Sequence, residues 1–319
     1  MKKNMVIIAS RGIGDLIFHL PLLRSLYESY EEKLIIISNK VNRAKEIYRY
    51  EKFHKEIIYF DNTRFPFIKT LRTILALKKL INGFNLDQII LTDTPRRLMA
   101  PVYLSNAKKK IIFGQGKYFF SKDKKYNNLI YSHKIMQYTN DLNLPIKNNN
   151  FFLLSDNFDK DNKTEKNKLK IFISIDSHHD HNNWGIENYI KIILKLLHYN
   201  INIFINFAPS KIHFLDKLPK DVINSNKVNF TYNKSILEII NIINMCRYIV
   251  GNESGPICLG ASLQKEVHSI YLPIHTPLGS NLKPASEIIN KKNFYYNAEE
   301  ESNDAIIEKI TNCILKNIN

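Results

Sequence analysis

Asp15 closes the segment Ser10-Arg11-Gly12-Ile13-Gly14-Asp15, with an apolar run before it and another after it. A carboxylate in the first turn of a helix is stabilised by the positive end of the helix dipole, and an ionised carboxylate can take a proton from an attacking hydroxyl. The same residue type is an ordinary capping acid at helix starts, so both roles stand open. Gly12 and Gly14 permit a tight strand-to-helix turn whose backbone N–H groups face a ligand, with Arg11 as a cation beside them. The third glycine of a dinucleotide fingerprint is missing, since Ile17 occupies its place, and this disfavours a nicotinamide cofactor.

A second loop, Val250-Gly251-Asn252-Glu253-Ser254-Gly255-Pro256, follows an apolar run and precedes the small-residue segment Ile257 to Leu263. A helix starting there turns several unpaired N–H groups toward one spot, which suits a diphosphate. Ser254 can donate one more hydrogen bond and Glu253 can accept from sugar or ribose hydroxyls. The plainer reading makes Asn252 or Ser254 a helix cap and Pro256 a first-turn filler. A third loop, Ile175 to Trp184, carries three histidines and two aspartates within positions 176–181. These are metal-ligand types, but no fixed helical ligand spacing accompanies them, so phosphate contact or polar surface is the better expectation. Trp184, the only tryptophan, is expected to anchor the following helix in the core.

All three loops have to be held by rigid elements. Short Ile- and Val-rich runs alternate with segments of helical period, the pattern of βαβ units and a parallel sheet. Two such series occur: the first has strands from Met5–Ala9 to Lys110–Phe113, the second from Leu169–Ile175 to Val267–Tyr271. Pro21, inside the first helical stretch, is expected to kink or break it. Between the series, SDNFDKDNKTEKNK has no apolar period and reads as a linker. At 319 residues, two domains are expected.

Lys and Arg number 46 against 30 Asp and Glu, a net charge of +16 that draws polyanions. No nucleic-acid-binding motif accompanies that charge, so phosphorylated sugars and lipid headgroups are the expected anions. The apolar run after Met1-Lys2-Lys3 is cut at Arg11, too early for a signal peptide, and no run approaches the ~20 apolar residues of a membrane span. Cys246, Cys258 and Cys313 show no metal-ligand spacing and fit reduced cytoplasmic thiols.

In this order and at this separation, the loops resemble the heptosyltransferases of glycosyltransferase family nine. Gly14-Asp15 with Pro21 matches the family's Gly-Asp-x-x-x-x-x-Pro opening, and Val250 to Pro256 resembles its Val-x-Asn-Asp-Ser-Gly-Pro segment. Phe84 to Ile90 with Arg97, Lys110 to Gly114, Trp184, and Tyr271 to Pro277 are similar to further family segments. The resemblance implies an α/β protein of GT-B fold, two doubly wound Rossmann-like domains facing a central cleft. It implies an acceptor-binding domain over 1–155, a linker over 156–168 and a nucleotide-sugar-binding domain over 169–319, with a last helix able to pack back on the first domain.

The activity implied is inverting, metal-independent transfer of heptose from a nucleotide-diphosphate sugar such as ADP-heptose, with no other cofactor. Asp15 is the implied general base. Ser177, His178, Asn182, Asn252, Glu253, Ser254 and Gly255 are the implied donor contacts, and Arg11, Gly12, Gly14 and Arg97 the acceptor or phosphate contacts. The implied partners are the nucleotide sugar and an anionic glycolipid of lipopolysaccharide-core type. The place is the inner face of the cytoplasmic membrane, with peripheral association and no nucleic acid. Asn182 stands where the family has a Lys, Glu253 where it has an Asp and Cys258 where it has a His, and Phe207 to Ser210 lacks its Gly-x-x-x-Glu. Two further readings therefore stay open: a related transferase using another nucleotide sugar, and a non-catalytic homologue that only binds glycan or nucleotide.

Overall fold

The computed structural model describes residues 3–9, 12–60, 67–93, 95–115, 131–145, 151–153, 168–177, 183–272, 287, 289–290 and 293–316, with backbone alone at 67–70 and 131–133. The chain divides into two compact units, Met1–Phe151 and Phe152–Asn319. Apart from Lys168, the linker expected over 156–168 lies outside the described residues.

The first unit runs β1 (Asn4–Ile7), α1 (Ile13–Tyr30), β2 (Leu34–Ser38), α2 (Ala44–Ile47), β3 (His54–Tyr59), α3 (Phe67–Asn82), β4 (Gln88–Leu91), α4 (Arg96–Tyr103), β5 (Lys109–Ile112) and α5 (Tyr131–Asp141). Its strands form one parallel sheet in the order β3-β2-β1-β4-β5. β1, β2 and β4 are buried along their whole length, as strands covered on both faces must be, and this explains their near-continuous Ile, Val and Leu. The order reverses between β1 and β4. At such a switch point the loops leaving the two strands part to opposite faces and open a crevice at the carboxyl edge. The Thr92 hydroxyl bridges the two strand ends there, accepting from the Ala9 N–H (3.4 Å) and donating to the Ile7 carbonyl (3.2 Å).

Of the kink or break expected at Pro21, the break does not occur, for α1 runs unbroken from Ile13 to Tyr30. A proline inside a helix costs about 3 kcal/mol through its missing N–H and its clash with the preceding turn. Residues Leu16 to Leu23, Ser25 and Leu26 of α1 are all buried, and the apolar area they remove from water outweighs that cost.

The second unit runs β6 (Leu169–Ser174), α6 (Ile186–Leu197), β7 (Ile201–Asn206), a 3₁₀ segment (Pro209–Lys217), α7 (Lys220–Ile223), β8 (Val228–Phe230), α8 (Ile236–Met245), β9 (Tyr248–Asn252), α9 (Gly255–Ser262), β10 (Glu266–Tyr271), β11 (Phe294–Asn297) and α10 (Asn303–Leu315). Its parallel sheet has the order β11-β10-β9-β6-β7-β8, so the switch point lies between β6 and β9. The last helix, α10, is the one expected to be able to pack back on the first domain. Its buried face, Ile306, Ile307, Ile310 and Ile314, belongs to the second unit's own core. β11, a short aromatic strand (FYYN) without clear alternation, adds a strand beyond Tyr271, where the strands expected from the sequence end.

Candidate functional site

In the first unit, Gly12 is the N-cap of α1 and Asp15 its third residue. The Gly12 N–H donates to Asp15 Oδ2 at 3.0 Å, so the carboxylate bends back over the helix start and is held there. A Cβ at position 12 would stand 2.7 Å from Asp15 Oδ2, so a side chain there would push the carboxylate out of this position. The capping role is thus real, and it leaves the carboxylate half-exposed, on the carboxyl edge of the sheet beside its switch point. One turn on, the fully buried His19 sets its Nδ1 2.7 Å from the Asp15 carbonyl. A carbonyl only accepts, so Nδ1 carries the hydrogen. Burial lowers the His19 pKa to about 4, and the bond to Asp15 opposes that shift.

Arg97 lies in the first turn of α4, the helix that follows β4 across the switch point from β1. Arg96 and Arg97 thus place two cations at the positive end of a helix dipole, a position that weakly disfavours them unless an anion is nearby. Gly14 is half-buried in the first turn of α1. Arg11 lies outside the described residues.

In the second unit, the described residues of the expected donor set, Ser177 and Asn252 to Gly255, lie at the carboxyl ends of β6 and β9, on either side of the switch point. Asn252 ends β9 fully buried, and its amide stitches the two loops together. Its Oδ1 accepts from the Trp184 N–H (2.9 Å), and its Nδ2 donates to Asn183 Oδ1 (3.4 Å), which also accepts from the Ser177 N–H (2.6 Å). Glu253 turns toward the neighbouring strand and accepts from the Ser269 hydroxyl at 2.6 Å. Asn252, Glu253 and Ser177 are therefore engaged in building the loop itself.

Ser254 is the N-cap of α9, yet its hydroxyl makes no capping bond and has no partner among the described residues. Pro256 brings no N–H, and Gly255 and Ile257 fall among the first-turn N–H groups that have no partner within the helix. The buried, unpartnered Ser254 hydroxyl and the first-turn N–H groups of Gly255 and Ile257 are thus the donors left over at this helix start. His178 and Asn182, with the rest of the histidine-rich stretch 178–182, lie outside the described residues.

Two glycines that the sequence reading passed over set this helix start in place. A Cβ at Gly260 would lie 2.9 Å from Ile249 Cγ1, and one at Gly251 2.6 Å from the Ser174 carbonyl, so α9 presses directly on β9 and β9 on β6. The small-residue composition of Ile257 to Leu263 was the signal for it. Asp176, buried below the third loop, accepts from the Ala208 N–H (2.8 Å) and ties the β6 loop to the β7 loop; burial raises its pKa. Trp184 is the core anchor it was expected to be, donating through Nε1 to Asn303 Oδ1 (2.7 Å) and packing edge-on against Tyr189. A pocket of about 150 Å³ beside Gly114, lined by Phe113, Tyr138 and Asp141 among others, is below the roughly 300 Å³ of small ligand sites.

Residues 107–305 match Glycosyltransferase family 9 (heptosyltransferase), nearly two thirds of the chain. The chain belongs to that family. Its fold is that of solved family 9 proteins. The glycosyl transferase family 9 structure from Veillonella parvula matches with a TM-score of 0.70 at 14% identity, covering 99% of this chain and 90% of that one. E. coli heptosyltransferase WaaC with ADP matches with a TM-score of 0.71 at 14% identity, covering 98% and 99%. E. coli ADP-heptose lps heptosyltransferase II matches with a TM-score of 0.70 at 13% identity, covering 99% of each. No curated protein matches in sequence. The family 9 chain is a glycosyltransferase of GT-B-like fold, with each half a parallel α/β sheet.

Proposed function

We propose that this family 9 glycosyltransferase moves heptose, with inversion, from ADP-heptose to an anionic glycolipid of lipopolysaccharide-core type, and that no metal takes part. The observation that carries the reading is Asp15, held by Gly12 at the start of α1 with its carboxylate half-exposed at the switch point. Asp15 takes the proton of the acceptor hydroxyl as that oxygen forms its bond to the anomeric carbon, and the bond from that carbon to the diphosphate oxygen breaks. The charge left on the nucleotide goes to fixed donors, the first-turn N–H groups of α9 and the Ser254 hydroxyl. His178 and Asn182 add donor contacts from the neighbouring loop, while Asn252, Glu253 and Ser177 keep the two loops in register. Arg11, Gly12, Gly14 and Arg97 receive phosphates of the acceptor, so the first unit serves the acceptor and the second the donor. The ADP in the similar E. coli WaaC structure supports the choice of base.

The membrane is the place where such an acceptor is found, and α3 supports peripheral contact with it. Its face bears exposed Leu71, Arg72, Leu75 and Lys79, and the helix contains no acidic residue. Among the described residues, no helix is long and apolar enough to cross a membrane.

A second reading, transfer from another nucleotide sugar, is favoured by the loop after β7. Ala208, Pro209 and Ser210 are exposed there, and Phe207 stacks on Tyr232 with ring centres 5.0 Å apart, with no acid at the position where the family contacts the nucleoside. Thermal unfolding with ADP-, GDP-, UDP- and dTDP-sugars tests both, because a ligand bound only to the fold raises its apparent stability by about 2.7 kcal/mol at 100 times Kd. A shift with ADP-heptose that Gly255→Val abolishes is the expected result. A shift with a different base alone would establish the second reading, and none at all would leave a non-catalytic homologue.

A further inference from the structure

Glu266 and His268 stand two positions apart on β10, so the pleat of the strand sets both side chains on one face of the sheet. Cys313, on α10, meets them there: its Sγ lies 3.3 Å from Glu266 Oε1 and His268 Nε2 lies 3.7 Å from the same oxygen. The three candidate ligand atoms all fall within 4.8 Å of one another. This is the starting edge of β10, opposite the loops of the candidate site.

His268 supplies the observation that points to a ligand. It is fully buried, and its Nδ1 sits 2.9 Å from the Tyr296 hydroxyl, while its Nε2 has no hydrogen-bond partner among the described residues. At 3.7 Å, Glu266 is beyond hydrogen-bond reach of that nitrogen. With the hydrogen on Nδ1, donated to Tyr296, Nε2 presents a lone pair; the other tautomer buries an unpaired N–H, which costs about 1–3 kcal/mol. A ring nitrogen held by an outer partner while the other aims its lone pair at a carboxylate and a thiol is the arrangement of a metal-ligating histidine. Parallel rings of Phe294 and Tyr296 at 4.8 and 6.0 Å keep the imidazole from turning away.

We propose that Glu266, His268 and Cys313 bind a borderline-soft divalent cation, zinc by their chemistry, which ties α10 to β10 as a structural clamp outside the transfer reaction. Imidazole, carboxylate and thiolate are the zinc ligand types, and tetrahedral bond lengths put such ligand atoms about 3.3–3.6 Å apart. Glu266 therefore needs almost no movement relative to either partner, and the closure falls to the Cys313 side chain, which is partly exposed and able to rotate. Water completes the fourth position. On binding, the thiol forms its bond to the metal and gives its proton to solvent, with no change of oxidation state.

Cobalt reports on this site directly, because a cysteine ligand produces a thiolate-to-cobalt charge-transfer band that histidine and carboxylate ligands do not. The purified full-length protein, freed of metal and titrated with Co²⁺, is expected to develop that band at one equivalent per chain and to release the cobalt to Zn²⁺. Cys313→Ser should abolish the band, and Glu266→Gln should weaken binding at least tenfold. Both positions are partly exposed, so the fold tolerates these changes, and circular dichroism of each variant checks it. Cobalt bound by the histidines of 178–181 would give no such band, since that stretch has no cysteine. A wild-type protein without the band, a band that survives Cys313→Ser, or unchanged affinity in Glu266→Gln each overturns the proposal.

Discussion

At the scale of the residue, Asp15 performs a structural task that an amide performs equally well and a chemical task that it does not. An Asn side-chain oxygen can accept the same Gly12 N–H, and Asn and Asp cap helices about equally well. Asp15→Asn should therefore change thermal stability by less than about 1 kcal/mol while turnover falls by about 10² to 10⁴, the usual worth of a general base. Steady-state kinetics with donor and acceptor, beside an unfolding curve, separate the two. Near wild-type turnover in a folded variant would reduce Asp15 to a cap. His19 beneath it gives the fold a dependence on pH. The unfolded chain takes up this proton near the ordinary pKa of 6.5, whereas the fold refuses it until about pH 4. The site's contribution is complete above pH 6.5 and is lost as the pH falls toward 4, by ~3 kcal/mol in all. Denaturant midpoints at pH 7 and pH 4.5 should drop more for the wild type than for His19→Gln. Equal drops would mean that His19 does not refuse the proton.

At the scale of the element, the donor loops depend on one buried amide. Asn252→Ala leaves the Trp184 N–H buried without its acceptor, a loss of about 1–3 kcal/mol. It also frees Asn183 and Trp184 from the end of β9, so donor affinity should fall together with stability even though the Asn252 side chain is fully buried. Calorimetric titration of the variant with its nucleotide sugar reads the first effect and urea unfolding the second. Undiminished affinity in a destabilised variant would dissociate the loop from donor binding. The short α9 can hold its position because Gly260 and Gly251 let backbone and strand come closer than any side chain permits.

For the whole molecule, the net charge of +16 and the basic, acid-free α3 act in the same direction. The protein should sediment with vesicles rich in anionic lipid at low ionic strength and lose most of that binding above about 0.15 M salt, where the screening length is about 8 Å. Leu71→Ser combined with Leu75→Ser should weaken vesicle binding further while leaving thermal stability unaltered, since both side chains are exposed. Binding that these changes leave intact would assign membrane contact to another surface.

Alternating apolar runs and helical periods made two parallel α/β series readable from the chain, because period is a local property that burial imposes on every strand and helix. The Gly-x-Gly-Asp turn and the Asn-Glu-Ser-Gly-Pro segment were readable too, since a turn's backbone demands and a helix's capping preferences are written in neighbouring residues. What neighbours could not reveal is where separate loops meet. Only the strand orders, β3-β2-β1-β4-β5 and β11-β10-β9-β6-β7-β8, bring Arg97 and Asp15 to one switch point and Ser177 and Ser254 to another. Only packing shows that Asn252 and Glu253 spend their side chains on Trp184 and Ser269, that Pro21 does not break α1, and that Cys313 lies beside Glu266 and His268 from 45 or more positions away. These contacts join residues far apart in the chain, and spacing along a sequence holds no measure of a distance closed by folding.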